Sequence, residues 1–90
     1  MTYHEKNEAD TLAWRLRNRR LMLGISQGEL ALLTQLSQGT ISHLELGRVT
    51  CPSYGTINAL ARVLHCRHAW LDTGDRETAP AGFYTAFIQE

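Results

Sequence analysis

The segment from Ser26 to Gly47 reads SQGELALLTQLSQGTISHLELG. It holds two short amphipathic runs with only Gln35, Leu36 and Ser37 between them. Leu30, Ala31 and Leu33 recur at helical spacing in the first run, as do Ile41 and Leu44 in the second. Ser26 or Gln27 opens the second helix of the chain, where Glu29 favours the positive end of the helix dipole. Ser37 caps the third helix, which ends at Gly47. Helices joined this tightly must cross at a steep angle, and Ala31 is the small residue that lets them approach. Ala31, Leu36, Ile41 and Leu44 are expected to lock the corner while the far side of the third helix stays polar. A helix-turn-helix that pushes its second helix into a major groove has this pattern, and a bare helical hairpin has it too.

Upstream, residues 1–10 show no periodicity and are expected to form a flexible N-terminal arm. Thr11 caps a first helix that runs to about Leu23 and stops at Gly24. Leu12, Leu16 and Leu23 share one stripe of it, with Arg15, Arg19 and Met22 facing elsewhere. Downstream, Pro52 and Ser53 start a fourth helix in which Ile57, Leu60, Ala61 and Leu64 repeat at helical spacing. A short fifth helix carries Trp70 and Leu71 before Gly74. No sustained strand pattern is present, so residues 11–75 read as one all-α domain of five short helices. Residues 76–90 form a tail, broken by Pro80, Ala81 and Gly82. Beyond the break Phe83, Tyr84, Phe87 and Ile88 line one face of a further short helix. That face can fold back on the domain or help build a symmetric dimer.

Ninety residues allow one domain and one core. A content of 43% hydrophobic and 20% charged residues is that of an ordinary globular chain rather than a disordered or fibrous one. No apolar run approaches the roughly 20 residues that cross a bilayer. The start is acidic and polar, unlike a secretory leader, so a cytoplasmic protein is expected. Cys51 and Cys66 are too few for a disulfide framework and fit a reducing compartment. The formal net charge of zero hides an uneven distribution. Between residues 11 and 71, Arg15, Arg17, Arg19, Arg20, Arg48, Arg62 and Arg67 face only Glu29 and Glu45, a net +5, and the balancing acids lie at the two ends. Such a basic body can hold a polyanion, because screening confines each charge to a reach of about 10 Å. Solvated arginines on a helix face account for the same count.

Four stretches, LRNRRLMLGISQGELA, TISHLELGR, CPS and AWLDTG, follow one another between residues 16 and 74. With them, residues 12–74 resemble the phage-repressor (Cro and repressor-type) helix-turn-helix family. The resemblance implies a five-helix, lambda-repressor-like domain and a regulator that binds double-stranded DNA sequence-specifically. It further implies a phage or prophage-type repressor, without catalysis, that occupies a palindromic operator as a homodimer. Carried onto matching positions, Gln27 would hold a phosphate at the start of the second helix, or serve there as a helix cap. Ser37, Gln38, Gly39, Thr40, Ser42 and His43 would form the leading turn and exposed side of the recognition helix. Gln38 could bond adenine in bidentate fashion, a contact worth about 1–3 kcal/mol of base discrimination, and Thr40 could offer its hydroxyl. Arg48 would grip backbone phosphate. Arg20 and Glu45 would form a structural ion pair beneath the recognition helix.

This chain departs from the family pattern at four positions. Gln35 and His65 stand where the family has glycine, and an ordinary side chain in left-handed backbone costs about 1 kcal/mol. A reshaped turn at Gln35 is therefore expected. Arg67 replaces a serine cap, and Gly39 removes a side chain from a base-reading position. The same fold could instead serve as a protein-interaction module, an antitoxin or adaptor, with Gly39 and Leu46 reflecting lost DNA reading. Cys51, His65, Cys66 and His68 lack the paired spacing of a zinc site, so no metal is expected. No phosphate loop, nucleophile elbow or paired-acid constellation is present, which argues against an enzyme and against a cofactor. No small-molecule inducer and no membrane partner are implied.

Overall fold

Thr11, Ser26, Ser37 and Ser53 each lie in extended backbone just ahead of a helix. Their side-chain oxygens accept the amides of Trp14, Glu29, Thr40 and Thr56 at 3.0–3.1 Å. Each hydroxyl thus satisfies one of the amides that a helix leaves unpaired at its start. At Ser26 the Glu29 carboxylate returns the bond at 2.8 Å, completing a capping box. The computed structural model describes residues 10–87. It places α1 at Leu12–Met22, α2 at Gln27–Thr34, α3 at Gln38–Glu45, α4 at Tyr54–Val63 and α5 at His68–Thr73. A 3-10 turn at Arg76–Thr78 and a short α6 at Phe83–Phe87 follow, and no strand occurs among the described residues. The fold is all-α, as the sequence implies. None of these helices is long and apolar enough to cross a membrane.

One core joins the helices. Leu16, Leu30, Ile41, Leu44, Ile57, Leu60, Leu64, Trp70 and Leu71 are all buried within it, each such side chain stabilising the fold by about 1.5–3 kcal/mol. Through this core α3 packs on α1 and α2, α4 on α2 and α5, and α5 on α1. Leu33, which recurs with Leu30 and Ala31 at helical spacing, is 60% exposed. The inward stripe of α2 is Gln27, Leu30, Ala31 and Thr34, and Leu33 lies about 100° of rotation away from its centre. Leu23, on the expected apolar stripe of α1, is 37% exposed, because α1 ends one residue earlier.

The larger correction concerns α1. Arg15, expected to face away from the core, is only 3% exposed. Its guanidinium donates to the carbonyls of Leu71 and Asp72, both at 3.0 Å. One turn on, Arg19 donates to the carbonyls of Leu64 and His65 at 2.9 and 3.2 Å. The two arginines therefore close the negative ends of α5 and α4, satisfying carbonyls that a helix terminus cannot satisfy itself. The turn at Gln35 is not reshaped. Gln35 adopts φ 63° and His65 φ 53°, so both hold the left-handed backbone that glycine takes more readily.

The tail folds back on the same protomer. Phe83 is fully buried and meets Trp70 edge-on at 4.7 Å and Trp14 at 5.5 Å between ring centroids. Tyr84 stacks over Trp14, accepts a bond from Trp70 Nε1 at 3.1 Å and donates its hydroxyl to Asp10 at 2.7 Å. Asp10 also pairs with Arg15 at 3.2 Å and Arg76 at 3.5 Å, and its carbonyl accepts from Arg15. The expected arm thus loses its last residue to the domain. Burial raises the Asp10 carboxyl, but the Tyr84 hydroxyl and the Arg15 and Arg76 charges outweigh it and hold the group below its ordinary value. Residues 1–9 of that arm, and Ile88 of the expected tail face, lie outside the described residues.

Candidate nucleic-acid interface

The orientation of α3 follows from its two apolar residues. Ile41 and Leu44 are at most 1% exposed, so the opposite side of the helix must face outward. There Gln38, Gly39, Thr40 and His43 are exposed and Ser42 is half-buried, and Arg48 stands exposed just beyond Gly47. Ser37 and Thr40 are engaged with each other. Ser37 Oγ accepts the Thr40 amide and lies 2.9 Å from Thr40 Oγ1, which holds both hydroxyls at the leading end of the helix. Capping at Ser37 and Ser26 leaves the backbone amides of Gln38 and Gly39, and of Gln27 and Gly28, as the unpaired donors of two neighbouring helix starts.

Gly39 has ordinary helical backbone, and a Cβ there would meet nothing nearer than Ser37 Oγ at 3.8 Å. Packing therefore does not require glycine at this position. Its effect is to open the surface between Thr40 and His43 onto a groove of about 440 Å³ that reaches Val49, Pro52 and Ser53.

Beneath this surface a polar network fixes the angle of α3. Arg20 Nε and Nη2 donate to the two carboxylate oxygens of Glu45 at 2.6 and 2.9 Å, a bidentate pair. Its remaining Nη1 reaches the carbonyl of Ile25 at 2.9 Å. Both side chains are nearly sealed, at 9% and 3% exposure. The bonds it donates to Glu45 raise the Arg20 guanidinium above its usual value, against the effect of burial. Gln27 joins the same network, donating through Nε2 to Glu45 at 3.0 Å. Its side-chain amide is thus engaged internally, and its backbone amide is the group that remains for a ligand.

Of the arginines counted in the basic body, Arg15, Arg19 and Arg20 are therefore consumed inside the fold. Arg17 and Arg48 are exposed and make no ion pair among the described residues. Sequence reasoning did not single out Arg17 as a candidate. Its signal was rotational, since it lies on the side of α1 away from Arg15 and Arg19, and the fold sets it in a hollow with Asn18, Leu46 and Gly47. No group of three histidine, cysteine or acidic side chains among the described residues could hold a metal. Cys66, half-buried, has its thiol pushed up to about 11 by burial.

A tight corner between α2 and α3, an outward polar side on α3 and a buried polar clamp behind it define a helix-turn-helix domain. The family comparison agrees, for the helix-turn-helix family (HTH_3) matches residues 16–71 and the chain belongs to it. Among solved structures the chain is similar to the P22 c2 repressor in complex with synthetic operator 9T. That match has 30% identity and a TM-score of 0.69, and spans 74% of this chain and 100% of the other. It is similar also to the solution structure of the DNA-binding domain of the P22 c2 repressor, at 29% identity and a TM-score of 0.65 over 72% of this chain and 84% of that one. No curated protein matches the chain.

Proposed function

We propose that this protein is a sequence-specific regulator of transcription that binds double-stranded DNA through α3 and represses by occupying an operator, without catalysis. The observation that carries the reading is the outward polar side of α3, held at a fixed angle by the Arg20–Glu45–Gln27 network. The similarity to a repressor bound to its operator supports it. In this reading Gln38 and His43 read base edges on either side of Gly39, with Ser42 at the edge of the contact. The amides of Gln27, Gly28, Gln38 and Gly39, with the Ser37–Thr40 pair, meet phosphates, and Arg48 and Arg17 neutralise others. The chain acts as a homodimer on a palindromic site in the cytoplasm, because two copies are needed to read two half-sites about one DNA turn apart.

Selection of bound duplexes from a random pool, followed by titration of the selected site, tests the reading. A palindromic consensus is expected. Few exposed cations serve each copy, so log K should fall with log salt at a slope of roughly −2 to −4 for a dimer, about 0.9 per phosphate neutralised. Arg48→Ala should flatten that slope by about 1 per copy without changing the preferred sequence. Enrichment of no sequence at low salt would overturn the proposal in favour of a protein-interaction module.

A further inference from the structure

The C-terminal end of α4 carries a second concentration of positive charge that the DNA reading does not use. Arg62, His65, Cys66 and Arg67 border a shallow cleft of about 370 Å³ that is closed on its other side by Thr78 and Pro80. No carboxylate lines it. Arg62, His65 and Arg67 are exposed, and neither arginine makes an ion pair among the described residues. The carbonyls of Leu64 and His65, which would repel an anion at a helix end, are already taken by Arg19, and this brings a third guanidinium close behind the cleft. The thiol of Cys66 stays protonated at neutral pH, so it adds no negative charge. His65 is held with φ 53°, a backbone state that a non-glycine residue keeps only where its surroundings over-determine it.

From these observations we infer that the cleft between the α4–α5 corner and the Thr78–Pro80 segment is a binding site for a small phosphate-bearing anion, separate from the α3 surface. The Arg62 and Arg67 guanidinium groups, without ion pairs among the described residues, and the His65 imidazole that lines the same cleft match the charge and the several acceptor oxygens of a phosphate. The volume is at the lower end of small-molecule sites, and the polar lining suits a compact anion rather than an apolar ligand. The cleft shares no lining residue with the groove beside Gly39. That groove touches the start of α4, whereas the cleft lies at its end, a helix length of about 15 Å away.

The test is a titration of inorganic phosphate into the full chain at constant ionic strength, followed through backbone amide shifts. Saturating shifts at Arg62, His65 and Arg67 are expected, with a midpoint at lower phosphate than any shift at Gln38 and Gly39. The double variant Arg62→Ala with Arg67→Ala should weaken phosphate binding at least tenfold while leaving the thermal midpoint and duplex affinity unchanged, since both side chains are exposed. Shifts that rise linearly without saturation, or that persist in the double variant, would show only diffuse ion attraction and overturn the inference. A loss of duplex affinity in that variant as large as that of Arg48→Ala would assign these arginines to DNA phosphates and refute a separate site.

Discussion

Helix α3 and the C-terminal tail are both fastened to α1, by opposite means. At the α3 end the fastening is polar, with Arg20 clamped on Glu45 and Gln27 added to it. At the tail it is aromatic, with Phe83 and Tyr84 laid against Trp14 and Trp70. A bidentate ion pair is directional and loses its energy within a small rotation, so it suits a helix whose angle must be held. Apolar burial is far less directional and grows with the area covered, so it suits a segment that need only cover a surface. Asp10 is where the two styles meet, since it bonds the tail's Tyr84 and the α1 residue Arg15 together.

This contrast can be broken most forcefully at Glu45. Glu45→Ala leaves the Arg20 charge buried without its partner and should destabilise the domain by about 3–5 kcal/mol, measured by chemical denaturation. Replacing both partners by Met and Leu should restore most of that stability while weakening duplex binding, because area can replace energy but not direction. A loss below about 1 kcal/mol for the single change would show that the clamp is not sealed.

At the other fastening, Phe83→Ala should cost about 3 kcal/mol by removing a filled core position. Duplex affinity measured well below the melting point should stay within about twofold, since α3 does not lean on the tail. A comparable loss of DNA binding would mean that the two ends are coupled.

Acid tests the junction. The Asp10 carboxyl is depressed in the folded chain, so its contribution is fully present above the ordinary value of 3.8 and disappears as pH falls through the folded value. Asp10→Asn should remove that part of the pH dependence and about 1 kcal/mol of stability at neutral pH. Tryptophan fluorescence reports it directly, because Trp14 and Trp70 both contact Tyr84. An unchanged acid transition would show that Asp10 does not hold the tail.

The smallest expected effect is a gain. Gln35→Gly, in the turn between α2 and α3, relieves a left-handed side chain and should stabilise by about 0.5–1 kcal/mol in thermal melts. A loss instead would mean that the Gln35 side chain contributes something its exposure does not suggest.

The local frame was legible in the chain itself. Thr11, Ser26, Ser37 and Ser53 mark helix starts, Gly24, Gly47 and Gly74 mark stops, and Ile41 with Leu44 fixes which side of α3 turns outward. Caps and periodicity act over three or four residues, so one sequence suffices to read them. The fate of each arginine was not legible. The carbonyls that Arg15 and Arg19 close lie 45–57 residues further along, and only the packing of α4 and α5 on α1 brings them within reach. The same holds for Asp10, which no pattern separates from the residues before it until Tyr84 arrives from 74 positions away. Sequence therefore determined where helices begin, end and turn their apolar sides, while tertiary structure alone decided which charges serve the fold and which remain for a partner, because a charge is satisfied by whatever the folded chain carries to it.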